Sequence, residues 1–336
     1  MGKMRAVQAR DGKSPFELVE RDIPDPGPGQ VRVKVEACGI CHSDALVRFA
    51  HFPGLVLPRI PGHEIAGRID AVGAGVTAWK EGERVGVGWH GGHCFQCNAC
   101  RKGHFINCEN AKITGISHDG GFAEYAVVPA ESVARIPEEL SAVDAAPLLC
   151  AGITTYNALR NSGARAGDTV AVQGIGGLGH LGVQYAARMG FRTVAVSSGA
   201  DKEELARKLG AHDYVDASNG SAAEGLQKLG GADLVLATAP NAAAISDIVS
   251  GLKPRGTLLL VAAPGDSFSV SAFGMLSGKR IQGWPSGTAI DSEETMRFSA
   301  LSGVRPQIET LPLERAEEGF NKVMSNKVRF RAVLTP

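Results

Sequence analysis

The chain has 336 residues, 44% of them hydrophobic and 21% charged, enough for two domains that each bury a core. Its 35 Lys and Arg balance 35 Asp and Glu, which leaves no basic field for nucleic acid or an anionic membrane. The 43 glycines are about twice the usual share of roughly 7% and point to many tight turns.

The first eight residues carry positive charge with no apolar run behind them, so no export signal is expected. The longest apolar stretch, 258–263, is too short to span a bilayer. A cytoplasmic, reducing location is the expectation, with the seven cysteines as thiols or metal ligands rather than disulfides. Residues 30–38 (QVRVKVEAC) alternate valine with polar side chains, the period-2 pattern of a half-buried strand. Residues 65–72 and 122–128 read the same way. Between these two, Cys94, Cys97, Cys100 and Cys108 form C-x2-C-x2-C-x7-C in a glycine-containing loop. Four thiolates so spaced can close a tetrahedron around Zn²⁺, and Arg101 and Lys102 are placed to offset a net charge of about −2. The ferredoxin run differs, with three residues before its last cysteine and then a proline. Full ligation leaves no open position, so this zinc is expected to be structural.

From about Gly163 the pattern becomes apolar strand, glycine turn, amphipathic helix, repeated. Runs 169–173, 193–197, 232–238 and 257–262 read as strands buried on both faces, and 181–189, 202–209 and 242–252 as helices. That order predicts a doubly wound parallel sheet. Residues 173–179 (QGIGGLG) place Gly174, Gly176 and Gly179 in G-x-G-x-x-G, with Gly177 and Leu178 between, where a strand meets a helix. The first glycine permits the turn, the second lets the backbone approach a pyrophosphate, and the third lets helix and strand pack closely. About 20 residues on, an NAD site carries an acid for the ribose 2′-hydroxyl. Here stand Ser197 and Ser198, followed by Lys202. With no carboxylate to repel a 2′-phosphate, these residues favour NADP(H); NAD(H) is the alternative, with Lys202 then simply opening a solvated helix. After about Pro285 the alternation fades into a C-terminal segment.

A second set of ligand types is dispersed. Cys41 lies in C-G-I-C-H-S-D, His63 in P-G-H-E and Cys150 in P-L-L-C-A-G. Each alone would be an ordinary core cysteine or hydrogen-bonded histidine, but two thiolates and one imidazole make up the ligand set of an open catalytic zinc. In chain order these motifs, the four-cysteine loop, L-C-A-G-I-T and G-x-G-G-x-G resemble the zinc-dependent alcohol dehydrogenases of the medium-chain dehydrogenase/reductase family over nearly the whole chain.

The resemblance implies an α/β protein with a β-rich, GroES-like catalytic domain over 1–150, completed by 286–336, and a Rossmann coenzyme domain over 151–285. It implies one catalytic and one structural zinc, with Cys41, His63 and Cys150 on the former and Glu64 as a nearby or transient ligand. Asp44 would hold the other nitrogen of His63, and Ser43 would relay the substrate proton. His42 and Arg331 would contact coenzyme phosphates, and Thr154 the nicotinamide. Many relatives carry a histidine five residues after the first zinc cysteine. Leu46 stands there in this chain and His51 is out of register, so the proton is expected to leave through Ser43, the ribose, and His42 or water.

The activity implied is reversible hydride transfer between a small primary alcohol and its aldehyde. Hydride leaves carbon readily only when the oxygen bears negative charge. A zinc that lowers the pKa of water from about 15.7 to about 7 sets an upper bound of roughly 12 kcal/mol on that effect. A positioned hydroxyl such as Ser43 contributes about 3–5 kcal/mol. Two thiolates and a neutral imidazole leave Zn²⁺ formally neutral, so it can border an apolar pocket; Phe52 and Trp89 are candidates for its wall or for plain core. Cinnamyl-, polyol- and formaldehyde-type zinc dehydrogenases share the pattern. A non-enzymatic dinucleotide-binding zinc scaffold or redox sensor would need no such ligand set. By the same resemblance a homotetramer is expected, with an exposed edge strand supplying a contact. Cys38 reads as core.

Overall fold

The computed structural model describes residues 2–336; Met1, the first of the eight residues considered above for an export signal, lies outside them. In chain order the strands are β1 (Lys3–Gln8), β2 (Glu17–Asp22), β3 (Gln30–Ile40), β4 (Ile65–Val72), β5 (Arg84–Val87), β6 (Tyr125–Pro129), β7 (Val133–Arg135), β8 (Thr169–Gln173), β9 (Arg192–Ser197), β10 (Asp213–Asp216), β11 (Ala232–Ala237), β12 (Leu252–Leu260), β13 (Arg280–Gly283), β14 (Ile308–Pro312) and β15 (Arg331–Thr335). The chain divides into two units, Met1–Ile153 with Gly287–Pro336, and Thr154–Ser286.

The first unit is built around β3. Its alternating valines bury one face, with Val31 and Val33 fully covered beside Ile65, Phe122 and Phe320. β3 pairs antiparallel with β4, β6 and β15, in a sheet ordered β14-β15-β3-β4-β5-β7. The β15–β3 register sets Ala332 opposite Ile40. Arg331 is thereby carried to the point where β3 ends. The regular ladder of the 122–128 stretch begins only at Tyr125. Phe122 and Ala123 turn to β1 instead, through Val7 N–H to Phe122 O at 2.7 Å and an Ala6–Ala123 bridge.

The second unit holds six parallel strands in the order β10-β9-β8-β11-β12-β13, or 3-2-1-4-5-6 counted within the unit, the doubly wound Rossmann arrangement. All five residues of β8 are buried, as a strand covered on both faces requires. The order reverses between β8 and β11. There the Thr238 hydroxyl donates to Gln173 O at 2.9 Å and reaches Gly174 O at 3.1 Å, tying the two strand ends together. β12 starts at Leu252, five residues before the stretch expected from hydropathy; the early part passes a register shift and Arg255 at φ 65°. β13 (RIQG) lacks a hydrophobic signature, and all four of its residues are exposed.

Beyond Pro285 the chain forms helix Ala289–Ser302, opened by Thr288 N–H to Asp291 Oδ2 at 2.9 Å and closed by Gly303 at φ 74°. Helix Ala316–Met324 follows, and β15 completes the first unit. Among the described residues no helix is long and apolar enough to cross a membrane.

Candidate active site

β3 delivers the chain to Cys41, where the short helical turn His42–Asp44 begins. The Asp44 carboxylate is 1% exposed. It accepts from Cys41 N at 2.8 Å and Gly62 N at 3.2 Å, and lies 3.5 Å from His63 Nδ1. One side chain thus fixes two turns and leaves His63 Nε2 as the free nitrogen. Cys150 arrives on a π-helical turn, Leu148–Gly152, that interrupts otherwise α-helical chain; such turns often occur at functional sites. Cys41, His63, Glu64 and Cys150 each offer a ligand atom, all within 4.8 Å of one another.

The donor set suits a zinc ion. Cys41 Sγ and Cys150 Sγ are 3.8 Å apart, and a tetrahedron with Zn–S of about 2.3 Å has edges of about 3.8 Å. His63 Nε2 and Glu64 Oε2 are buried without a hydrogen-bond partner, a state that costs about 1–3 kcal/mol per group unless something fills it. Cys150 and His63 hold the Cys41 thiol well below the usual range, while Cys41 and burial push Cys150 up. Burial raises the Glu64 carboxyl to about 7, even though Arg331 opposes the shift.

The resemblance makes Arg331 a phosphate contact; in the structure its guanidinium is 3% exposed, paired with Glu64 and 3.4 Å from Ile40 O. Glu64 itself fits only because residue 39 is glycine, since a Cβ there would stand 1.9 Å from Glu64 Oε2. Ser43 lies beside the cluster, its Oγ 3.7 Å from Cys41 Sγ. His42 is exposed. Trp89 meets the His63 ring edge-on at 5.0 Å. Together with Phe52, Leu46, Leu55, Leu57 and Ile113, Trp89 forms a partly buried apolar shell around Val47 and Ile116. Leu46 is therefore part of this shell, and His51 is exposed with its ring 5.8 Å from Phe49. Cys38 is fully buried core.

Cys94, Cys97, Cys100 and Cys108 also converge within 4.8 Å. Cys108 Sγ lies 3.5 Å from Cys94 Sγ and 3.9 Å from Cys97 Sγ, again near a zinc tetrahedron's edge. Backbone amides of Cys94, Cys97, Cys100 and Asn110 point at the sulfurs at 3.3–3.5 Å. The amides of Gln96 and Cys97 lower Cys94 to about 6, while burial raises Cys100 to about 12.

In the second unit the three glycines are required for different reasons. Gly174 has φ 93°, and a Cβ at Gly179 would stand 1.8 Å from Gly174 O. A Cβ at Gly176 would meet nothing within 4 Å; no protein atom excludes it, so a close-lying pyrophosphate is what would. Among the described residues Gly177 N and Leu178 N donate to no acceptor, as an anion cradle requires. Ser197 is buried at the end of β9, with Lys202 Nζ 3.4 Å from its Oγ, and Ser198 is exposed. Thr154 is 9% exposed on helix Ile153–Arg160. Sequence reading missed a cavity of about 680 Å³ at the carboxyl ends of β12 and β13, lined by Leu260, Val261, Phe268, Gly283 and Trp284. The rule that ligands bind at the carboxyl ends of parallel strands would have flagged it.

Residues 27–138 match the family described as alcohol dehydrogenase GroES-like domain, and 177–300 that described as zinc-binding dehydrogenase. The chain is 47% identical over 310 residues to alcohol dehydrogenase patD of Penicillium expansum, covering 92% of this chain and 91% of that one. It is 39% identical over 334 residues to an alcohol dehydrogenase of Geobacillus stearothermophilus, covering 98% and 99%. The structure of a cinnamyl alcohol dehydrogenase from Sorghum bicolor superposes with a TM-score of 0.90 at 30% identity, covering 99% and 98%.

Cys41→Ser and His63→Ala should abolish turnover while chemical denaturation stays within about 1 kcal/mol of wild type. Cys97→Ala should instead lower stability or solubility; wild-type turnover in Cys41→Ser would remove the catalytic assignment. In the glycine loop, Gly179→Ala should cost about 3 kcal/mol in urea unfolding. Gly176→Ala should leave stability unchanged but weaken coenzyme about tenfold or more by fluorescence titration.

Proposed function

The chain belongs to the zinc-binding alcohol dehydrogenases of the medium-chain dehydrogenase/reductase family, and on that premise we propose that it interconverts a small primary alcohol and its aldehyde with NADP(H). The observation carrying this reading is the buried convergence of Cys41, His63 and Cys150, with an unpartnered imidazole nitrogen in a cluster edged by apolar side chains. These three residues would hold a catalytic zinc, with Glu64 beside it, and Cys94, Cys97, Cys100 and Cys108 a structural one. Bound zinc would supply the Lewis acidity that favours the deprotonated alcohol, and the nicotinamide the hydride acceptor.

The chain's own residues do the rest. Ser43 takes the alcohol proton through its hydroxyl, and the exposed His42 next to it, or water, leads that proton outward. Leu46 closes the neighbouring direction with hydrocarbon. Trp89 and Phe52 exclude water from the reacting carbon and favour a substrate with an apolar tail. Asp44 keeps His63 in the tautomer that presents Nε2. In the second unit, Gly174, Gly176, Gly177, Leu178 and Gly179 receive the pyrophosphate, and Ser197, Ser198 and Lys202 a 2′-phosphate. Arg331 balances the charge of Glu64 and serves as a second phosphate contact, and Thr154 faces the nicotinamide. The unpaired cysteines suit a reducing, cytoplasmic setting.

A homo-oligomer, a tetramer built from pairs, fits the exposed edge strand β13. Ile281 on the strand is 36% exposed, and Phe273 and Leu276, just before it in the chain, are 84% and 80% exposed. Antiparallel self-pairing with Ile281 opposite Gln282 sets Arg280 opposite Gly283, so like charges do not meet.

The kcat/KM for NADPH should exceed that for NADH at least tenfold, and Lys202→Ala should erase most of the difference; a clear NADH preference overturns the coenzyme assignment. A sedimentation mass above the 35.1 kDa protomer is expected for wild type, with Phe273→Glu/Leu276→Glu shifting it downward; a wild-type monomer removes the pairing.

A further inference from the structure

We infer that His180 is a positioning residue for the coenzyme, holding the peptide that presents the Gly177 amide to the pyrophosphate; this rests on the dinucleotide reading of the glycine loop. His180 is the second residue of helix Gly179–Arg188 and is fully buried. A histidine at that depth is not there for solvent. Its Nδ1 donates to Gly176 O at 2.9 Å, and its backbone N–H reaches the same oxygen at 3.1 Å. Two donors from one residue therefore pin one carbonyl, and Nδ1 must carry the proton.

The consequence follows from peptide geometry. Gly176 C=O and Gly177 N–H belong to the same planar trans peptide and point in opposite directions. Fixing the carbonyl toward the helix fixes the Gly177 amide away from it. That amide has no acceptor among the described residues, and the neighbouring space at Gly176 is open. Residues 176 and 177 are both glycine, the residue with the widest choice of φ and ψ, so without the imidazole only the His180 backbone N–H would hold this peptide. Leu178, at the helix start, brings no side-chain cap. The imidazole supplies the order that the glycines lack, and ordering done before binding is not charged to the ligand's affinity.

The test is the equilibrium Kd of NADPH and of NADH, by fluorescence titration of the zinc-loaded protein, with circular dichroism melts alongside. In His180→Asn the side-chain amide nitrogen replaces Nδ1; in His180→Gln it falls where Nε2 was; in His180→Leu no donor remains. We expect Leu and Gln to raise Kd about tenfold, Asn to stay within about threefold of wild type, and kcat at saturating coenzyme to change less than twofold. Unchanged affinity in Leu, or affinity kept by Gln and lost by Asn, overturns the inference. Should Leu fail to fold by dichroism, the Asn and Gln pair decides alone. A wild-type protein that binds neither nicotinamide overturns the dinucleotide reading itself, and this inference with it.

Discussion

One buried carboxylate organises the metal cluster. Asp44 accepts from the backbone on both sides of the site, at Cys41 and at Gly62, and faces His63 Nδ1. A carboxylate this deep would cost several kcal/mol if unpaired, so the two turns are held wherever its donors can reach it. Cys41 and His63 are consequences of that anchoring. The β-sheet supplies the remainder: β3 ends just before Cys41, and its pairing with β15 brings Arg331 from the far end of the chain to Glu64.

Charge is balanced locally, which is what allows such a site to sit in apolar surroundings. Glu64 faces Arg331, and Asp44 spends its oxygens on amides. Two thiolates and a neutral imidazole would cancel a divalent cation. The four-cysteine loop differs: four thiolates around a divalent cation would keep an excess of negative charge, which backbone N–H groups pointing at the sulfurs are placed to relieve.

Local patterns were legible wherever the physics is local. Thr169–Gln173 is a strand because its first four residues are apolar or β-branched and glycine follows its last; the glycine turn needs only adjacent residues. The spacing of the four cysteines likewise lies within one loop. What could not be read depends on contacts distant in sequence. β13, with Arg280 and Gln282 in a four-residue strand, is defined by its hydrogen bonds to β12 rather than by hydrophobicity. The 122–124 segment leaves the ladder because β1 competes for it. Arg331 carries no local sign that its partner is Glu64, 267 positions away.

The glycines separate two kinds of necessity that a sequence shows as one letter. Gly39 and Gly179 are forced by the protein itself, since Glu64 and the Gly174 carbonyl occupy the space a Cβ would need. Gly176 is not, for its surroundings are empty. A fold explains the first kind fully and leaves the second without a cause inside the molecule. A position where the protein tolerates a side chain but carries none, beside amides that lack acceptors, records the outline of something that binds there. The same reasoning applies to His63 Nε2, buried and unpaired among sulfurs. In both units the function is marked by what the protein leaves unsatisfied, and the residues around those gaps hold them in shape.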